Sequence, residues 1–342
     1  LTHILITGDD GHVISDLTPL AGLEKLERLI LTDNKISDLT PLLGLKQIRH
    51  IDLSRNDLTL AEIEKLKNAL PKCSISHDAL PPQLIAAQEK LREKNEEPGL
   101  RIRWTESTSA LHIHNPKGRG ESMGDLSPLR GLPIKHLSLG GGHGVKDLSP
   151  LVGMKLERFS MTDTRVVDLS PLEGMPLKEL EINRYWDLYF PSSIVSDLSP
   201  LRGMKLKKLH LEKTKVTSIA ALEGMPLEEL WLTDSPISDL TPLRNIKTLK
   251  ILKISGTKVT SLEVLSGLDL DRLYFSRTKV SDLEPLKNMR LMYLKGDQTL
   301  VSSIAPLRGD RLTSISLQST GLSNIEPIRN MPNLNSLLFA DS

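Results

Sequence analysis

The sequence predicts an α/β solenoid: an arc with a parallel β-sheet on its concave face and short helical or extended segments on its convex face. Three observations predict it. First, Ile14-Ser-Asp-Leu-Thr-Pro-Leu20 recurs as Ile36-Ser-Asp-Leu-Thr-Pro-Leu42, and the phrase returns at Asp125, Asp147, Asp168, Asp197, Asp239 and Asp282, with weaker copies at Ser218, Ser261, Ser303 and Asn324. Second, a companion phrase lies between the copies: Leu26-x-x-Leu29-x-Leu31-x-x-Asn34-x-Ile36 and Leu206-x-x-Leu209-x-Leu211-x-x-Thr214-x-Val216 are good examples. Third, aromatic residues are only 3% of the 342 residues, so aliphatic side chains must fill the core.

The elements follow from these phrases. In Leu-x-Leu both leucines face one side of a strand and the middle residue faces the other. One coil alone buries neither leucine, whereas stacked coils bury them continuously. Asn34, Asn56, Thr164, Thr214, Thr257, Thr278 and Thr320 fall where the chain leaves the strand, and their short polar side chains suit that turn. The Asp of the first phrase is placed to accept from N–H groups two or three residues on, and Pro fits the first turn of a short convex helix. Each coil thus uses its Asp locally, which argues against a metal-binding ladder. Phe159, Phe275 and Phe339 occupy strand leucine positions and are expected in the core.

The repeats form two arrays. Residues 1–77 make the first, closed by an amphipathic helix over Leu58–Leu70 and a short strand before His77. Residues 78–107 break the pattern as a helix–strand joint or cap, with Leu84, Ala87 and Leu91 on a helical period and a strand near Leu100–Trp104. Residues 108–342 make the second array, with spacings mostly of 21 or 22 residues and one of 29 between Asp168 and Asp197. Both ends fall inside repeat units without an obvious cap. Flanking sequence, or association through uncapped solenoid ends, is therefore expected.

The recurring phrases carry the leucine-rich-repeat signature. The Ser-Asp-Leu-Thr-Pro-Leu phrase resembles the bacterial internalin-type repeat. The shorter unit, exemplified by Asp168-Leu-Ser-Pro-Leu-Glu-Gly-Met-Pro-Leu177, is similar to arrays of planctomycete proteins, many of them appended to protein kinases. The resemblance implies a leucine-rich-repeat horseshoe used for recognition. It supplies no partner and no transferable functional residues, and no kinase motif is present.

Other function classes find little support. Lys+Arg 44 against Asp+Glu 43 gives a net charge of +1, which removes the case for nucleic-acid binding. No apolar run is long enough for a membrane span, and no secretory signal is visible, so a cytoplasmic setting is favoured over bacterial export. A lone Cys73 excludes an internal disulfide framework. The glycine-rich stretches Gly140–Gly144, Gly8–His12 and Pro116–Gly120 lack the Lys-Ser/Thr of a phosphate loop and read as widened turns. No catalytic residue and no cofactor is expected. His112, His114 and His136 are the weak candidates for a shared metal ion, without an acidic or thiol ligand to complete the set.

A partner surface is the positive expectation. The 29-residue unit inserts residues 183–193, carrying Tyr185, Trp186, Tyr189 and Phe190. The residue between the strand leucines is Ser138, Ser160, Glu181, His210, Trp231, Lys253, Tyr274, Lys295 and Ser316 on successive coils, with Tyr293 flanking. Exposed aromatics there have no core to fill and suit a protein or peptide partner. The alternatives are that the insertion folds over Trp231, that the aromatics bind a glycan, or that the array is a regulatory or oligomerisation region of a larger enzyme.

Overall fold

A computed structural model describes the chain except residues 9–11, 57, 98–99, 106–107, 115–122, 141–143, 163, 184–194, 308 and 340–342, and of His114 and Asn183 it describes the backbone. The glycine-rich stretches and the aromatics Tyr185, Trp186, Tyr189 and Phe190 therefore fall wholly or partly outside the described residues. Two compact units result: residues 1–90 with 102–106, and residues 91–101 with 107–342.

The first unit holds a four-stranded sheet in chain order, β1 (His3–Leu5), β2 (Arg28–Ile30), β3 (His50–Asp52) and β4 (Ser74–Ser76). Its pairs are parallel, with Ile4, Leu29, Ile51 and Ile75 in register. Leu29, Leu31, Ile51 and Leu53 are fully buried. Helix α1 (Leu60–Ala69) buries Ile63 and Leu66, and Thr59 caps it by accepting from Glu62 N–H at 3.3 Å. The amphipathic period of this segment thus becomes a helix, two residues shorter at its start than its apolar pattern.

The second sheet also follows chain order: β5 (Arg101–Thr105), β6 (Ala110–His114), β7 (His136–Gly140), β8 (Arg158–Thr162), β9 (Glu179–Asn183), β10 (Lys208–His210), β11 (Glu229–Trp231), β12 (Ile251–Lys253), β13 (Arg272–Tyr274), β14 (Tyr293–Lys295), β15 (Ser314–Ser316) and β16 (Ser336–Leu338). From β6 onward every neighbouring pair is parallel. Helix α2 (Pro82–Lys94) precedes β5, and its Leu84, Ala87 and Leu91 are buried. Among the described residues no helix is long and apolar enough to cross a membrane.

Away from the sheet most coils close with a single 3-10 turn such as Thr18–Leu20 or Thr241–Leu243, in most cases with Pro in its first positions. The preceding Asp accepts the N–H two residues on: Asp16 from Thr18, Asp147 from Ser149 and Asp239 from Thr241, each at 2.7–2.8 Å. Where the phrase is degenerate, Ser218, Ser261, Ser303 and Asn324 accept the same bond with a neutral oxygen. These Asp groups are used locally, as the phrase predicts. In many coils a type II turn follows, with Gly22 at φ +84° after extended Ala21. Only glycine takes that position without strain.

The aliphatic core is continuous along each stack, and the few aromatics in it are matched to small neighbours. Phe275 is fully buried because Gly296, on the next coil, leaves room: a Cβ there would collide with the phenyl ring. Phe159 is buried as expected. Phe339 is not, and stands 38% exposed. It follows β16, the edge strand of the sheet, where no further coil among the described residues covers the leucine position.

Candidate functional site on the open face of the second sheet

The parallel register fixes which side chains meet on the open face. Successive partners are His112, Ser138, Ser160, Glu181, His210, Trp231, Lys253, Tyr274, Lys295, Ser316 and Leu338. This is the order of the sequence pattern, because the leucines on either side leave only one phase for the residue between them. Strands in a sheet lie about 4.8 Å apart, so side chains in this column touch their neighbours directly.

The middle of the column is the distinctive part. His210 and Trp231 stack with ring centroids 3.7 Å apart and planes within 5°. Lys253 sets its ammonium over the Trp231 ring, 3.1 Å from the centroid, and lies 5.5 Å from that of Tyr274. Tyr274 in turn packs on Tyr293 at 4.9 Å, tilted by 31°. His210 is buried, whereas Trp231, Lys253, Tyr274 and Tyr293 are half-buried. Trp231 is thus held between an imidazole and an ammonium, a cation–π contact that contributes roughly 0.5–2 kcal/mol.

Electrostatics fix the state of His210. Its Nδ1 lies 3.6 Å from Glu181 Oε1 and its Nε2 lies 3.4 Å from Glu229 Oε1. Burial nonetheless dominates, pushing the imidazole down to about 4, against the pull of the Glu181 carboxylate and with the help of Lys253. His210 is therefore neutral at pH 7 and stacks as a flat, uncharged ring. Among the described residues neither its Nε2 nor Trp231 Nε1 has a hydrogen-bond partner, although both atoms are buried. Orphaned polar atoms of this kind cost stability and call for an explanation in function.

The sequence-predicted residues fall into three groups. His210, Trp231, Tyr274 and Tyr293 are brought together in one row on β10, β11, β13 and β14. The insertion residues Tyr185, Trp186, Tyr189 and Phe190 lie outside the described residues. The histidines of the metal candidate are spread over two strands: His112 pairs with Ser138, and His136 pairs with Ala110. His112 is exposed and half-buried His136 is held below the ordinary histidine value, first by burial and then by Arg158. Among the described residues no trio of His, Cys, Asp or Glu is grouped to hold a metal ion. Of His114 only the backbone position in β6 is described.

Sequence reasoning missed the part played by Lys253, Glu181 and Glu229. The signal for Lys253 was present, since it stands between Trp231 and Tyr274 in the column. The choice between stacking on an indole and pairing with a carboxylate depends on three-dimensional placement. Charges flanking this face pair with one another: Lys207 meets Glu228 at 2.7 Å and Lys208 meets Glu179 at 3.4 Å.

No family model matches the sequence, and no curated protein matches it. Among solved structures it is similar to an internalin (inlF) of Listeria monocytogenes, 21% identical over 100% of this chain and 87% of that one, with a TM-score of 0.55. A second internalin of that organism (inlC2) is 25% identical over 58% of this chain and 74% of its own, at a TM-score of 0.42. A leucine-rich-repeat protein of Leptospira interrogans is 18% identical over 95% and 81%, at 0.44. The fold is that of the internalin-type leucine-rich repeat.

Proposed function

We propose that the chain is a non-enzymatic scaffold that recognises a protein or peptide through the open face of the second sheet, centred on Trp231 and Tyr274. The 183–193 insertion follows the Glu181 strand directly in sequence and is proposed as part of the same surface. The observation that carries this reading is the row of half-buried rings on a face that fills no core. Trp, Tyr and Arg are the side chains that most often anchor interfaces. The same column carries only Ser at Ser138, Ser160 and Ser316, so the rings are local to a few coils.

The glycan reading is the weaker one on this geometry. A sugar ring needs an aromatic face on which to stack. Both faces of Trp231 are engaged, one by His210 and the other by Lys253. Tyr274 and Tyr293 are tilted against each other rather than coplanar.

Replacing Trp231 and Tyr274 by Ala, singly and together, tests the proposal in pull-downs of protein and polysaccharide from the source cell. Loss of protein partners is expected from variants that still unfold cooperatively, at a midpoint lowered only by the lost stacking and cation–π contacts. Retention of every partner by the double variant would remove this surface from the proposal.

A further inference from the structure

The charges on the open face fall into two sets. Most cations there have a carboxylate: Arg158 meets Glu179 at 3.2 Å, Lys208 meets the same carboxylate at 3.4 Å, and Lys295 meets Asp297 at 3.5 Å. At the strand entrances Lys207 pairs with Glu228 and Lys250 with Asp269, at 2.7 and 2.8 Å. Lys253 and Arg272 depart from this rule, with no carboxylate in ion-pair range among the described residues.

Their placement is specific. Arg272 is exposed and begins β13, opposite Ile251 on one side and Tyr293 on the other. Lys253 ends β12, opposite Trp231 and Tyr274. The two cations are thus diagonal neighbours on adjacent strands, a position from which long side chains interact. Arg272 acts on Lys253 as a like charge, and Glu212 and Glu229 are the carboxylates that oppose it from further off. Glu229 Oε1 lies 3.4 Å from His210 Nε2. Two cations left together without a carboxylate in ion-pair range among the described residues, beside two tyrosines and a tryptophan, form a surface complementary to an anion with an apolar neighbour.

We propose that Lys253 and Arg272, walled by Tyr274 and Tyr293, seat a carboxylate of a protein partner, so that the docking segment of that partner is acidic. The inference rests on the recognition reading above and names the chemistry of its partner. The guanidinium of Arg272 is free to bind a carboxylate through two parallel N–H donors. Lys253 adds charge while its ammonium stays on Trp231, and the tyrosine rings offer flat walls to residues beside the acid. A nucleic-acid backbone fits less well, because it needs a long basic track. This face carries Glu179, Glu181, Glu212 and Glu229 around its two free cations.

Selection of displayed random short peptides on the full chain tests this, with Arg272→Glu, Arg272→Gln and Trp231→Ala compared in parallel. Arg272 is exposed, so both of its variants should keep the parent thermal unfolding. The expected result is enrichment of Asp- and Glu-containing peptides. Arg272→Gln should weaken their binding roughly tenfold, as loss of a charge-assisted bond implies, and Arg272→Glu should weaken it further. Peptides without acidic bias, lost by Trp231→Ala but indifferent to Arg272→Glu, would overturn this inference and leave the recognition reading standing. Absence of selected peptides, or binding unmoved by Trp231→Ala, would remove both. Preference for a DNA fragment or heparin over the acidic peptides, abolished by Arg272→Glu, would also overturn it by making the pair a general polyanion site.

Discussion

The two units solve the same problem, the turn at the end of each strand, with different side chains. In the first unit Asn34 accepts from Ile14 N–H at 2.9 Å and donates to Ile6 and Thr32 carbonyls at 3.1 and 3.0 Å. Asn56 does likewise with Ile36 N–H, Leu31 and Leu53. Each amide therefore ties its own coil to the preceding one. In the second unit Thr257, Thr278, Thr299 and Thr320 each donate one bond, 2.6–2.7 Å long, to the carbonyl three residues back. A hydroxyl closes its own turn and leaves the joining of coils to the backbone, as in Lys258 N–H to Ile237 at 2.7 Å. The Thr214–Ser235 pair, 3.0 Å apart, links neighbouring coils through side chains at this position. At the start of this unit Asn95 plays the asparagine part, accepting from Gly124 and Asp125 N–H and donating to the Leu91 and Asp125 carbonyls. The comparison teaches that one polar position can serve either as a strut between coils, as the amides of Asn34 and Asn56 do, or as a local clasp, as the hydroxyls of Thr257, Thr278, Thr299 and Thr320 do.

The largest test of that difference is Asn56→Ala against Thr257→Ala. The first strands backbone groups of two coils and should cost about 2–4 kcal/mol in urea unfolding, whereas the second should cost about 1 kcal/mol. Equal losses would show that the bridging bonds carry no extra weight. Asn56→Thr sharpens the point: it keeps a bond within its own turn and loses those to Ile36 and Leu31. An intermediate loss of about 1–2 kcal/mol is expected, with hydrogen exchange quickening at Ile36 before the rest of the unit.

Acid separates the units next. His210 has its folded value lowered to about 4, while in the unfolded chain a histidine titrates near 6.5. The unfolded state therefore binds the proton first, so stability of the second unit is greatest above about pH 6.5 and declines as pH falls toward 4. His210→Gln should flatten that decline, followed by chemical unfolding at a series of pH values. An unaltered slope would mean that other groups govern it.

The smallest effect concerns the Asp caps. Bonds from the N–H and side chain of the residue two positions on hold Asp16, Asp147, Asp197 and Asp239 below the ordinary carboxylate value. Their contribution is complete above about pH 4 and is lost as pH falls further, through the lowered folded values. These carboxylates are close to fully exposed. Asp239→Asn should leave unfolding at pH 7 nearly unchanged, since Asn324 accepts the same bond at 2.8 Å, and should soften the loss below pH 4. A large loss at neutral pH would show that the charge itself matters.

Much of this was legible before any coordinates. The Leu-x-Leu phrase placed Leu209, Leu230, Leu252 and Leu273 in the core and aligned His210, Trp231, Lys253 and Tyr274 on the open face. The capping role of Asp and its neutral substitutes was legible too, because a carboxylate two residues before an N–H reaches it by local geometry alone. Thr299 escaped the ladder because Gly296 replaces the second strand leucine of its coil, and Ser235 because it stands where many other coils carry Asn or Thr; both side chains are buried there. Phe339 was misplaced because a leucine position implies burial only where another coil follows.

Period-2 alternation and an in-phase repeat by themselves determined the solenoid, its parallel register and the membership of each column, since any slip would turn every leucine outward. Which column members bond to which was decided only by the tertiary structure. Whether Lys253 rests on Trp231 or reaches Glu229, and whether Arg272 finds a carboxylate, depends on distances of a few ångströms between strands about twenty residues apart. At that range Coulomb attraction, cation–π contact and desolvation are of similar size, so the choice among them follows from placement rather than from residue type.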